Sequence, residues 1–404
     1  MLLFPAVSAR EIGVMRLINN NQELQAFCAT LSDEDFITVD TEFLREKTYY
    51  PELCLIQIAS TNEAVAIDPL ANGIDLTPVF EVMADQSILK VFHSARQDLE
   101  IFLHLTNEIP TPLFDSQVAA MVCGFGDSVG YEALVNVLLS ETVDKSSRYT
   151  DWSRRPLTDQ QLAYAISDVT HLRNIYLIFK EQLEANNREG WLEEEMTILT
   201  SVSTYRSDPN EAWRKLKPRS YKPKFLLALQ AVAAWRDEEA RRRNSTKNRL
   251  MRDDTITEIA ATLPTTFEHL TKARGLNSSI FKKDQGKAFL KMLHEAANQD
   301  PETAPVQPKK PDNRDRNDAL LELLRVLLKA KIDQHKVAGK LIASSKDLEK
   351  MATGKHDGLA FLEGWRREVF GNDALALADG KTALTINQGK IAIIPLAEPI
   401  EPSE

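Results

Sequence analysis

Two carboxylates stand one residue apart in the stretch FITVDTEF, residues 36–43, near the end of an apolar run of β-forming residues. Side chains alternate across a strand, so Asp40 and Glu42 project from the same face. Two like charges side by side repel each other and resist burial. A divalent cation would remove that conflict. The pair therefore directs attention to further carboxylate ligands along the chain.

Asp98, in ILKVFHSARQDLEIFLHL, is the second candidate. Residues 88–93 read as a short apolar strand, and 95–105 carry helical spacing through Leu99, Phe102, Leu103 and Leu105. Asp98 is then expected in the first turn of a helix that follows a strand, beside the mouth of an α/β sheet. An Asp in a first helical turn is also common for dipole reasons alone.

The third candidate lies in TDQQLAYAISDVTHLRNIY, residues 158–176. Thr158 is a good N-cap, and Gln161 three residues on completes a capping-box pattern. Leu162, Ala165, Ile166, Val169, Leu172 and Ile175 form an apolar stripe, which predicts an amphipathic helix. Tyr164 and Asp168 lie four apart and share one face of it. Each is unremarkable by itself; the combination carries the signal.

Asp-x-Glu on a first strand, an Asp on a strand-to-helix turn and Tyr-x-x-x-Asp on a later helix resemble the Tyr-containing branch of the DEDD exonucleases. The chain is similar to the ribonuclease D family from about residue 35 to 180, FHSARQDLEIF and DWSRRPL included. Phosphodiester hydrolysis needs an in-line water and stabilised charge on the attacking and leaving oxygens, and two metal ions about 4 Å apart supply both. Two Mg²⁺ (or Mn²⁺) suit carboxylate, water and phosphate oxygens. The resemblance implies that Asp40 bridges the metals and that Glu42 and Asp168 complete the nucleophile-side ion. It gives Asp98 the second ion through waters, and Tyr164 the orientation of the attacking water. An ordinary phenol pKa near 10 makes Tyr164 a positioner rather than a base.

Residues near these motifs carry weaker signals. Asp115, between a short apolar run and a helix, reads as an N-cap. His93 ends a strand, where it faces either the cleft or the core. The segment KSSRYTDWSRRPL interleaves Lys145, Arg148, Arg154 and Arg155 with Tyr149 and Trp152. Cations for phosphates alternating with rings for bases are what a single-stranded nucleic-acid groove requires. Phe43 and Leu44 either pack against a terminal base or close the strand end.

With 404 residues, 43% hydrophobic and 27% charged, the chain is expected to hold two or three globular domains. No apolar run approaches the roughly 20 residues that span a bilayer. The first residues, MLLFPAVSAR, lack a cationic leader, so no signal peptide is expected, and Met15 is a candidate start. Cys28, Cys54 and Cys123 are scattered without ligand spacing, which argues for a reducing compartment and places the protein in the cytoplasm. The net charge of −10 argues at first against a polyanionic partner. Residues 211–252, however, hold 13 Lys or Arg against 4 Asp or Glu, among them Arg241, Arg242, Arg243 and Lys247. Screening lets such a local face act whatever the global sum.

The expected architecture is α/β followed by all-α. An N-terminal extension over 1–14 precedes a nuclease domain over 15–205, whose first three strand-like runs are too closely spaced for helical crossovers and form an antiparallel meander. The resemblance implies a ribonuclease-H-like fold with the acidic residues at one sheet edge. Residues 211–297 resemble the HRDC domain, a helical nucleic-acid-binding module. A linker over 298–314 contains four prolines in residues 301–311. A second, diverged HRDC-like copy is expected over 315–390, with a hairpin around Asn387–Gly389 and a tail over 391–404. The implied activity is 3′→5′ exoribonuclease action releasing nucleoside 5′-monophosphates, on tRNA precursors with a single-stranded 3′ end, by a monomer without membrane contact. A DNA exonuclease and a silent RNA-binding adaptor are the alternatives; the adaptor predicts a lost acidic position, and all four are present.

Overall fold

The computed structural model describes residues 16–218, 220–281, 283–306 and 316–396. The extension over 1–14 with Met15, residues 307–314 of the linker and residues 397–404 of the tail lie outside them.

The strand-rich portion contains β1 (Arg16–Ile18), β2 (Phe36–Leu44), β3 (Glu52–Ala59), β4 (Ala64–Ile67), β5 (Leu89–Phe92) and β6 (Leu113–Asp115), in spatial order β1-β4-β3-β2-β5-β6. The expected meander is present, with β2 antiparallel to β3 and β3 antiparallel to β4. The parallel strands β5 and β6 follow helical crossovers. Helices α1 (Asn21–Thr30), α2 (Thr77–Ala84), α3 (Arg96–Thr106), α4 (Ser116–Val122), α5 (Tyr131–Leu134), α6 (Asp159–Ala185) and α7 (Glu189–Leu199) complete this portion.

One expectation about placement is corrected. The strand that carries the acidic pair lies inside the sheet, between β3 and β5, and not at an edge. Its pairing with β5 covers only Phe36–Thr38, whereas pairing with β3 continues to Leu44. Asp40 and Glu42 thus stand beyond the last contact with β5, at the carboxyl end of an interior strand where α/β sheets form their clefts.

Helix α6 lies against this strand. Its N-terminus is held by the predicted capping box: Gln161 N–H donates to Thr158 Oγ1 at 3.2 Å, and Thr158 N–H donates to Gln161 Oε1 at 3.0 Å. Leu55, Ala59, Ala64 and Ala66 of the sheet pack with Ala165, Ile166 and Val169 of the helix. Thr38 Oγ1 donates to the Val169 carbonyl at 2.7 Å, which ties the middle of the helix to β2.

The all-helical half begins at α8 (Pro223–Arg242), with Pro223 in the first turn, as its fixed φ favours. With α9 (Lys247–Leu250), α10 (Asp253–Thr262), α11 (Phe267–Leu270) and α12 (Lys283–Ala297) it closes a separate core around Trp213, Leu229, Ile259, Phe289 and Leu293. The second helical region contains α13 (Asp318–His335), α14 (Gly339–Ile342) and α15 (Ser345–Met351), then a helical run to Ala378. Its buried Leu324, Leu327, Phe361 and Phe370 belong to the same apolar cluster as Phe92, Phe102 and Phe179 of the sheet portion. The hairpin β7 (Thr382–Asn387) and β8 (Lys390–Pro395) turns through Gln388 and Gly389, both at positive φ. Strand β8 carries past residue 391, where a tail was expected to begin.

Candidate active site

The carboxylates of Asp40, Glu42 and Asp168 converge, with oxygens of all three within 4.8 Å of one another. Asp40 and Glu42 come from β2; Asp168 comes from α6, more than 120 residues later. Asp98, in the first turn of α3 as expected, is buried beside them and accepts a short hydrogen bond from the Thr41 hydroxyl. The four groups feel one another. Burial is the main cause that raises each pKa above the ordinary carboxylate range. For Glu42 the charges of Asp40, Asp168 and Asp98 add to it, and the Arg148 guanidinium opposes. For Asp98 and Asp168 the charge of Asp40 adds. The hydrogen bond from Thr41 opposes at Asp98, and the Tyr164 hydroxyl and Arg148 oppose at Asp168.

These residues fit a divalent cation. The donor set is all oxygen, the choice of hard cations. Asp168 Oδ1 is buried without a hydrogen-bond partner among the described residues. An unpartnered carboxylate oxygen in a cluster of mutually repelling acids is costly unless a positive charge meets it.

Tyr164 sits one helical turn before Asp168, close enough for its hydroxyl and that carboxylate to act on each other's proton affinity. Burial first, then the charges of Asp168, Glu42 and Asp40, raise its phenol pKa above the ordinary value. The hydroxyl therefore stays protonated and acts as a donor.

Trp152 and several of the cations singled out by the sequence have different surroundings from those expected, whereas His93, Phe43 and Leu44 take the packed one of their two expected places. Trp152 is only 2% exposed and packs near Tyr164, ring centroids 6.1 Å apart, so it supports α6 and offers no face to a base. Arg155 is bound by both oxygens of Asp68, at 2.7 and 2.6 Å, and by the Cys54 carbonyl at 2.7 Å, which pins the loop to the sheet. His93 is half-buried, bonded to Ser116 Oγ at 2.9 Å, and burial lowers its pKa to about 4. It is neutral at working pH and brings no charge to a phosphate. Arg242 and Arg243 both pair with Glu239, and Arg243 also donates to the Ile280 carbonyl. Arg241 and Lys247 share the buried Asp237. Phe43 and Leu44 are half-buried just past a register shift in β2 and pack against the core.

Other side chains of the 145–157 loop are exposed, among them Lys145, which pairs with Glu132. Arg148 lies near Glu42 and Asp168, its guanidinium 5.3 Å from the ring of Tyr149, which is 88% exposed. Arg154 extends into solvent with a 3.4 Å pairing to Asp151. Asp115 caps α4 and also accepts from the Ser94 and Ala95 N–H groups.

Sequence reasoning missed the supporting residues. The Tyr131 hydroxyl donates to the Asp168 carbonyl and fixes that turn of α6. Gln57 faces Asp40 directly across the β2–β3 pair, and its amide is buried with neither atom hydrogen-bonded among the described residues. Only Thr38 and Thr41 carried a signal, since they share a strand with the acidic pair.

A half-buried to buried acidic cluster on a mixed sheet, followed by a small helical domain, defines a metal-dependent nuclease with an accessory module. Residues 15–184 match the model of a 3′-5′ exonuclease family, and residues 226–293 match the HRDC domain. The chain is 45% identical to a ribonuclease D of Granulibacter bethesdensis, over 94% of this chain and 96% of that one. It is 46% identical to a ribonuclease D of Nitrobacter hamburgensis, over 93% and 98%. The crystal structure of Escherichia coli RNase D superposes with a TM-score of 0.76 at 28% identity, covering 91% of this chain and 99% of that one. The chain belongs to the ribonuclease D family, hydrolytic 3′→5′ exoribonucleases that depend on divalent metal.

Proposed function

We propose that the enzyme trims the 3′ end of structured RNA, tRNA precursors with a single-stranded tail above all, one nucleoside 5′-monophosphate at a time. The observation that carries this reading is the convergence of Asp40, Glu42 and Asp168 around an unpartnered buried carboxylate oxygen. Asp40, Glu42 and Asp168 would hold the metal, with Asp98 toward a second ion. Two bound Mg²⁺ would stabilise charge on the attacking and leaving oxygens and lower the pKa of water.

The chain's own residues do the rest. Thr41 fixes the Asp98 carboxylate by its hydrogen bond. Thr38 and Tyr131, bonded to successive carbonyls of α6, hold Asp168 and Tyr164 at a constant height above β2. Tyr164, kept protonated, orients the water that attacks phosphorus. Arg148, whose charge reaches Glu42 and Asp168, meets the phosphate, and exposed Tyr149 offers a ring to a base. The E. coli relative is described as an exoribonuclease involved in structured RNA processing, which agrees with this substrate class.

No helix among the described residues is long and apolar enough to cross a membrane. We read the enzyme as a cytoplasmic monomer; gel filtration checks the monomer and cell fractionation the compartment. Tyr164→Phe tests the division of labour. It should keep Mg²⁺ and RNA binding within about twofold and lose at least tenfold in kcat. Full turnover in that variant contradicts a positioning role. Matched RNA and DNA oligonucleotides decide the sugar preference, because contact to the 2′-hydroxyl separates the two.

A further inference from the structure

Between the nuclease domain and the first helical domain lies a cavity of about 780 Å³. Six cations line it (Arg45, Arg96, Arg206, Lys215, Arg241 and Lys247), against Glu100 as the one carboxylate among its lining residues. Three of them already have carboxylate partners. Arg45 makes a two-pronged pair with Glu100 at 2.6 and 2.7 Å, and Arg241 and Lys247 share Asp237. The other three have no carboxylate partner among the described residues. Arg96 donates to the Thr204 carbonyl at 3.3 Å, Arg206 donates to the Asn107 side chain, and Lys215 is exposed.

Stacked rings accompany these charges. Tyr50 lies flat on His104, centroids 3.7 Å apart at an interplanar angle of 7°, and Tyr49 meets Tyr50 edge-on at 4.9 Å. All three line the same cavity. Uncompensated cations beside ring platforms suit a flexible polyanion whose bases have exposed faces.

The cavity is built from the elements that carry the acidic cluster. Arg45 follows Glu42 by three residues, and Arg96 precedes Asp98 by two on α3. Tyr205, in the cavity wall, is near enough to the cluster that its hydroxyl feels the charges of Arg96 and Asp98. Arg45 and Arg96 thus stand two or three residues along the chain from Glu42 and Asp98, which brings cations of the cavity wall onto the two segments that carry those acids. The basic run at 241–243, mostly consumed by its own ion pairs, supplies Arg241 to this wall and little free charge elsewhere.

We propose that this cavity binds the single-stranded RNA backbone a few nucleotides upstream of the 3′ end, with Arg96, Arg206 and Lys215 on phosphates and the Tyr50–His104 stack facing a base. The proposal rests on the exoribonuclease activity assigned to the acidic cluster, and the test separates the two. The probes are a dinucleotide, too short to reach the cavity, and a decanucleotide of unstructured RNA. The variant is the triple replacement Arg96→Gln, Arg206→Gln, Lys215→Gln, with circular dichroism and thermal unfolding confirming its fold. The expected result is at least a tenfold fall in the decanucleotide-to-dinucleotide ratio of kcat/KM.

Binding supplies an arm independent of turnover. In an Asp40→Asn background, the slope of log affinity against log salt for the decanucleotide should become shallower by about 2, since each lost phosphate contact on a single strand removes about 0.7. An unchanged ratio together with an unchanged salt slope overturns the proposal. A wild-type enzyme that releases nothing from either probe overturns the exonuclease assignment instead.

Discussion

The two helical regions follow one another along the chain with similar spacing, yet they join the nuclease in opposite ways. The first closes its own core around Trp213 and Phe289. It meets the nuclease through polar groups: Asn244 Oδ1 accepts from the Tyr49 and Tyr50 N–H groups at 3.1 and 3.0 Å, and Arg241 Nε donates to the Tyr49 hydroxyl at 3.0 Å. The second has no such separate core. Its Leu324, Phe361 and Phe370 pack into the cluster that underlies the sheet. Trp365 stacks on Trp191 of α7 at 4.3 Å, Ala338 N–H donates to the Met121 carbonyl at 2.9 Å, and Arg366 pairs with Glu194 at 2.8 Å. A polar seam around a cavity leaves charged side chains for a ligand. An apolar seam makes its region part of the nuclease scaffold.

The largest effect should come from emptying each core in turn. Phe370 and Phe289 are both almost wholly buried, and Phe→Ala at such sites costs about 3–5 kcal/mol. Phe370→Ala should lower the unfolding temperature of the nuclease itself and weaken Mg²⁺ binding. Phe289→Ala should lower a separate calorimetric transition and leave Mg²⁺ binding in place. One merged transition that moves equally in both variants would erase the distinction between the two seams.

Metal should act on one side of that division. Mg²⁺ at about 100 times its dissociation constant stabilises the folded state by about 2.7 kcal/mol, and only the transition containing Asp40 and Asp168 should rise. The pH sign follows from the raised carboxyl pKa values. Without metal, the folded acids hold their protons more tightly than the unfolded ones. The stability they lend is therefore present in acid and is lost as pH climbs above the ordinary carboxylate range. Metal must displace those protons, so its stabilisation should grow over the same rise in pH. Calorimetry with and without chelator, from pH 5 to pH 8, checks both signs. A metal shift that shrinks as pH rises would contradict them.

The smallest effect belongs to the polar seam. Asn244→Ala removes two hydrogen bonds to exposed backbone and should cost about 1 kcal/mol or less, seen in the first helical domain's transition alone. A shift of the nuclease transition by more would show that the seam is stiffer than its polar contacts imply.

Much of this was legible because it is local. The alternation of FITVDTEFL, the short gaps that force a meander, the capping box at Thr158 and Gln161, and the four-residue spacing of Tyr164 and Asp168 are read within one element. The three-residue strands β1 and β6 were missed because so short a run has no periodicity to detect. Interior placement of β2 depends on where β5 and β6 return, which spacing alone does not state. The basic residues misled for a related reason. Arg155 finds Asp68 across 87 residues, and the pairing of Arg241 with Asp237 competes with any ligand, so a count of cations overstated the free charge. Trp152 looked like an exposed ring because its neighbours are polar; its burial comes from the sheet and α6, remote along the chain.

Release of nucleoside 5′-monophosphates from a 3′-tailed tRNA, followed with and without chelator in wild-type and Asp40→Asn protein, bears most directly on the acidic cluster. Stepwise release that stops on chelation, and falls at least a hundredfold in the variant, is the predicted result. Release that persists without divalent ions, or survives loss of Asp40, would contradict the assignment of this site.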